Sequence, residues 1–230
     1  MIRVKRLEWR RLRILAALLA AFSSAVLAAP FAVQLGETKL ALDTPPGFSD
    51  VTATGSPRLL DLAESLTSAS NRILLFALED GDVRRFSVGD SPELRRYVIA
   101  VTPRELQTAR VTASAFRALV AESMRDLGPL PDPASELRAY LDAHKGRVSL
   151  LGELRKEQDV VSLVQGARLP DAPRSREPPR YLLSSATLML IRGKALNLSL
   201  YTLHNGPEDI EWLRSTTLRW IDELQRLNNR

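Results

Sequence analysis

The sequence predicts an α+β fold: an antiparallel β-sheet packed with about four helices, placed after an N-terminal signal peptide. Three observations carry this. Apolar stretches recur in pairs around short turn signals, most clearly Leu182–Ile191 and Ala195–Leu203 about Arg192-Gly193-Lys194. Capped amphipathic segments stand among these pairs. The first 28 residues have the charged start, apolar middle and small-residue end of an export signal.

The leader comes first in the chain. Met1–Arg13 holds Arg3, Lys5, Arg6, Arg10, Arg11 and Arg13 against the single acid Glu8, and Ile14–Val26 is almost wholly apolar. Cleavage after Ala28 places small residues, Ala28 and Val26, where a peptidase needs them. Cleavage after Ala29 would put Pro30 next to the scissile bond. The alternative is an uncleaved anchor, because Ile14–Val33 carries no charge and approaches the roughly 20 residues that cross a bilayer. Either way the basic flank stays cytoplasmic and the body lies outside. Arg10-Arg11 does not make a twin-arginine signal, since Arg13 stands where that pattern wants an apolar residue. With no cysteine there is neither a lipid attachment site nor a disulfide.

The body, residues 29–230, fits one domain. Ala32–Leu35 and Lys39–Asp43 read as strands around Gly36-Glu37, and Thr44-Pro45-Pro46-Gly47 breaks the chain. Ser56-Pro57 opens a helix with Leu59, Leu62, Ala63 and Leu66 on one stripe. Arg72–Leu78 and Val83–Val88 read as strands joined across Asp80-Gly81, and Arg96–Val101 as another. Thr112 or Ala113 opens a helix that stops at Gly128; Asp132-Pro133 opens the next, which ends at Gly146. Val148–Leu154 and Val160–Gln165 read as strands, and the proline-rich stretch near 170–180 as an exposed loop. In the last hairpin Leu196, Leu198 and Leu200 point one way and Asn197, Ser199 and Tyr201 the other, which predicts one buried face. Gly206-Pro207 opens the final helix, with Glu208, Asp209 and Glu211 suited to its positive end.

The formal charge is +5. The leader accounts for all of it, so the body is neutral and its charges are interspersed along the chain. That reading excludes a nucleic-acid partner and leaves membrane contact only to an uncut leader.

Catalytic candidates are sparse. Gly89-Asp90-Ser91 resembles the nucleophile block of GDSL-type lipases and esterases. The late Asp-x-x-His of that family is missing: Tyr201 stands three before His204, and Leu141 three before His144. Ser91, His144 and His204 are therefore weak catalytic candidates, and Ser91 reads better as the cap of a helical turn with Pro92 at its first position and Glu93 behind it. Glu79-Asp80-Gly81-Asp82 reads as an acidic hairpin turn, since Arg84 and Arg85 occupy positions where a calcium loop needs oxygens. Glu153 and Asp159 read as solvated turn charges rather than a glycosidase pair. No metal-ligand cluster, phosphate loop or cofactor motif is present, so no cofactor is expected. Trp220 belongs to the core stripe of the last helix, and Trp212, beside it, is the partner-facing candidate.

The opening strand pair followed by Thr44-Pro45-Pro46-Gly47-Phe48 resembles the start of PsbP-like proteins. The close does too, with a long hairpin carrying Tyr201 leading into a helix with Trp212 and Trp220. The resemblance covers both ends of the body and implies an exported α/β/α sandwich acting as a non-enzymatic accessory or binding factor. The expected function is accordingly an exported, periplasmic or secreted cell-envelope factor that binds an envelope protein or a small ligand. An exported serine hydrolase using Ser91, and a membrane-anchored structural protein, are the alternatives.

Overall fold

The structure, a computed structural model, describes residues 30–125, 127–132, 135–171 and 178–229. The signal segment with its Ala28 and Ala29 junction lies outside the described residues, as do positions 172–177 of the proline-rich loop. The described flanks of that loop, Pro170, Asp171 and Pro178 to Arg180, are exposed.

The elements run β1 (Phe31–Leu35), β2 (Thr38–Leu42), β3 (Phe48–Asp50), α1 (Pro57–Ser65), β4 (Asn71–Glu79), α2 (Asp80–Ser87), β5 (Arg96–Pro103), α3 (Ala113–Met124), α4 (Leu137–Ala143), β6 (Ser149–Lys156), β7 (Val160–Arg168), β8 (Tyr181–Ile191), β9 (Lys194–Leu203) and α5 (Pro207–Asn228). This is the α+β arrangement expected. Seven strands form one antiparallel sheet in the order β3-β4-β5-β9-β8-β7-β6, and β1 and β2 form a separate pair. The last hairpin turns through two residues, Arg192 (φ +52°) and Gly193 (φ +77°), between the paired Ile191 and Lys194. Two positive φ angles match the right-handed twist of the flanking strands, at a cost that glycine avoids and arginine bears.

The expectation that only one face of this hairpin is buried is corrected by the packing. On one face Leu196, Leu198 and Leu200 meet Leu213, Trp220, Ile221 and Leu224 of α5, together with Leu35, Leu40 and Leu42 of the β1–β2 pair. On the other, Tyr97, Ile99 and Tyr201 lie under Leu59 and Ala63 of α1 and Val83 and Phe86 of α2. Farther along, Ala195, Leu188 and Leu190 lie under Phe116 of α3. The outward positions of β9 are apolar at both ends, at Ala195 and Tyr201, and there helices cover them. Polar side chains inside the α5 face pair with one another: Ser162 with Thr187 at 2.7 Å, and Ser185 with Thr217 at 2.8 Å.

The β1–β2 pair is fastened to α5 by polar contacts as well as by leucines. The Trp220 indole N–H donates to the Asp43 carbonyl at 2.7 Å. Asn228 takes the place of a further strand: its Oδ1 accepts from the Ala41 N–H at 2.9 Å and its Nδ2 donates to the Ala41 carbonyl at 2.8 Å. Asn228→Ala is expected to cost about 1–2 kcal/mol, read as a lower urea midpoint with an unchanged slope.

Three local expectations are corrected. Residues 80–87 form helix α2, so Val83–Val88 is not a strand and Asp80-Gly81 is not a hairpin turn. Asp80 and Asp82 sit at the helix's positive end and Arg84 and Arg85 at its negative end. Val83 and Phe86, three apart, then reach the same apolar cluster. Ser91 caps no helix: the Asp82 carboxylate, buried, accepts from the Glu93 and Leu94 backbone N–H groups at 3.0 Å each and holds that loop irregular. Finally, the helix expected from Asp132-Pro133 starts at Leu137, because Glu136 caps it through the Ala139 N–H at 2.8 Å.

Candidate partner-binding site

At the sheet end where β5 begins and β9 finishes, the expected catalytic residues are not assembled. Ser91 is exposed in the loop before β5. His144 closes α4 with Nδ1 2.8 Å from the Tyr140 carbonyl and its ring 4.5 Å from the Tyr140 ring. His204 follows β9, its backbone N–H bonded to the Tyr181 carbonyl at 2.9 Å, and its Nδ1 is buried without a partner among the described residues. No hydrogen bond among the described residues links Ser91 to either histidine.

Burial, with help from Arg138, holds the His204 imidazole below its ordinary range. A histidine depressed in the fold binds protons more readily when unfolded, so stability falls as pH drops from above the unfolded value toward the folded one. The wild type is expected to lose stability as pH falls below about 7. His204→Gln should flatten that slope, as checked by urea titrations across the pH series.

Trp212 lies at the other flank of α5. The Arg96 guanidinium stacks 4.1 Å over its ring, and Phe48 lies 6.1 Å away. Arg96 is held by the fully buried Asp209 at 2.9 Å and has Glu79 at 3.9 Å. Burial pushes the Glu79 carboxyl up, against the pull of Arg96. Burial would raise Asp209 as well. There the Asn205 N–H, Arg96 and the Gly206 N–H together outweigh it and hold the carboxyl below its usual range. This geometry seats Trp212 within the fold's own stack.

The feature that sequence reasoning missed lies at the opposite sheet end, where β4 starts, β5 finishes and the β8–β9 turn projects. Lys194 is 3% exposed. Its ammonium donates to the carbonyls of Gln107 at 3.3 Å, Thr108 at 3.0 Å and Ala109 at 2.7 Å. The Val111 N–H adds a bond to the Gly193 carbonyl at 2.8 Å. Arg192 donates to the Lys39 carbonyl and Arg72 to the Gln34 carbonyl, which ties the β1–β2 pair to the same corner. Lys39, Arg72, Arg104, Arg110, Arg192 and Lys194 thus converge. None of them makes an ion pair among the described residues; elsewhere Arg85, Arg95, Arg96, Arg155 and Arg168 do, while Arg84, Arg117 and Arg219 stand unpaired but apart from one another in the chain. The acids of the same corner are Glu37 and Glu105, with Asp159 one strand beyond and Glu122, ion-paired with Arg125, on the adjoining face of α3.

Beside this corner an apolar groove of about 350 Å³ opens between residues 106–111 and α3. Among the described residues no group of three His, Asp or Glu side chains is placed to hold a metal ion. No helix among them is long and apolar enough to cross a membrane.

No protein-family model matches the chain, and no curated protein matches it. Two solved structures are similar to the chain. The Saccharomyces cerevisiae Ran-binding protein Mog1p is 10% identical with a TM-score of 0.41, over 87% of this chain and 94% of that one. A point mutant of Mog1 is 10% identical with a TM-score of 0.40, over 86% and 94%. The first is named for Ran binding and neither for a cell-envelope role, so the expectation of a secreted or periplasmic envelope factor is corrected here. So are its alternatives, an exported serine hydrolase and a membrane-anchored structural protein. These readings took their compartment chiefly from the N-terminal segment, residues 1–28 of which lie outside the described residues, and from the resemblance to PsbP-like proteins.

Proposed function

We propose that this chain is a binding module for another protein, docking it through the sheet end that gathers Lys39, Arg72, Arg104, Arg110 and Arg192. The observation that supports this is the convergence there of cations without carboxylate partners, on a corner made rigid by the buried Lys194. A cluster of unneutralised like charges raises the local potential, attracts an oppositely charged partner and speeds its encounter. Side chains pinned to a fixed backbone also lose less entropy on binding than those of a mobile loop.

The test is site-specific photo-cross-linking in the intact protein, with the reactive residue placed at Arg192 and, as a control at the far sheet end, at Arg84. A discrete protein adduct at position 192 that is absent at position 84, and that disappears when Arg104 and Arg110 are both changed to Glu, is the expected result. Equal adducts at both positions would overturn the reading.

A further inference from the structure

We infer that the groove beside this corner receives a peptide segment of the partner in which a bulky apolar side chain is flanked by Asp or Glu. This rests on the protein-binding reading above and adds the chemistry of what is bound. Leu106, Val111 and Leu119 form the walls of the groove, and Ala115 and Ala118 leave its depth unfilled; Glu122 also lines it, but its charge is taken up by the ion pair with Arg125, which leaves Arg110 as the uncompensated charge of the lining. The groove exists because α3 commits Phe116, 1% exposed, to the sheet at Ala195, which turns its alanine flank toward residues 106–111. Its volume, about 350 Å³, sits at the small end of the ~300–1,000 Å³ typical of binding pockets. It suits an apolar anchor rather than a whole cofactor.

The wall facing α3 is preformed. Three carbonyls of residues 107–109 are clasped by the Lys194 ammonium, and Val111 is bonded to Gly193. Arg110, without an ion-pair partner among the described residues, runs along the rim close over Gly193; a Cβ built there would lie 3.0 Å from its Cγ. Arg104 and Arg192 continue the positive field. Carboxylates beside the anchor would meet that field, which fixes the charge of the segment.

Two other anionic occupants are disfavoured. No aromatic side chain lines the groove, so it offers no platform for stacking bases. The exposed large apolar residues Leu60, Val88, Leu130 and Val148 all lie outside it, so the corner has no wedge for a bilayer.

The experiment uses the full chain and a fluorescent peptide, Asp-Glu-Leu-Phe-Asp-Glu, read by anisotropy. Controls are the same peptide with both apolar residues changed to Ala, oligouridylate, and phosphatidylglycerol vesicles. The expected result is saturable binding that weakens by about tenfold or more in Arg110→Glu and in Ala118→Trp, which fills the groove. It should also weaken as salt rises from about 50 mM to about 500 mM. Thermal melts identical to wild type exclude unfolding of either variant; should one fail to fold, the alanine peptide still decides, because it must bind at least about tenfold more weakly. Equal binding of the two peptides, binding of oligouridylate or vesicles alone, or no peptide binding, overturns the inference. If the cross-link at position 192 persists while peptide binding fails, this inference falls and the protein-binding reading stands.

Discussion

Asp209→Ala is expected to remove about 3–5 kcal/mol of stability, the largest effect of any single polar substitution in the described chain. The carboxylate is fully buried and accepts three bonds: from the Asn205 N–H at 2.8 Å, the Gly206 N–H at 3.2 Å and Arg96 at 2.9 Å. Removing it strips the start of α5 of its cap and leaves the mostly buried Arg96 without its principal counter-charge. Arg96 would then hold Trp212 less firmly, so tryptophan emission should shift along with the melt. In a chain of this length the loss corresponds to a fall of roughly 10 °C in Tm.

The effect carries a pH signature. The Asp209 carboxyl is depressed in the fold, so its contribution is present above the ordinary carboxylate value and is lost as pH falls through the folded one. The gap between wild type and Asp209→Asn should be full at neutral pH and close below about pH 4. A gap that stays constant down to acid unfolding would mean that the side chain acts only by shape.

The second large effect is expected at Lys194. Lys194→Met keeps the stem and removes the ammonium, so the three carbonyls of residues 107–109 lose their shared donor at once. A cost of about 2–3 kcal/mol follows from the loss of charge-assisted bonds. Arg192→Met, on the exposed turn beside it, should stay within about 0.5 kcal/mol. Amide exchange at Val111 should quicken in the first variant and not in the second, because the wall of the groove depends on the clasp.

Much of the fold was legible because its signals are local. Alternation along residues 182–203 exposed the long hairpin, and Gly206-Pro207 with Asp209 exposed α5. What failed was local ambiguity. Asp80-Gly81 suits a turn as well as a helix start, and only the burial of Val83 and Phe86 against Ile99 and Tyr97 decides it. Ser91-Pro92 reads as a cap until Asp82, nine residues earlier, is seen to take the amides that follow it. The second cover on the β9 hairpin was missed for the same reason: Ala195 and Tyr201 do not say what lies above them. The cation corner was illegible altogether. Its members come from β2, β4, the segment after β5 and the β8–β9 turn, and a neutral sum over the body conceals their convergence.

The order of the strands has a consequence for how the chain reaches this state. β9 is the last strand made, yet it sits between β5 and β8 and so joins the two halves of the sheet. During synthesis the block of β3, β4 and β5 is complete about a hundred residues before its neighbour exists, and the β5 edge stays open throughout. The closing contact, Asn228 on Ala41, spans 187 positions. Folding should therefore be slow for a chain of this size and dominated by late, long-range closure. Chains released before Pro207 would carry an uncovered sheet face and should aggregate rather than persist as smaller folded units.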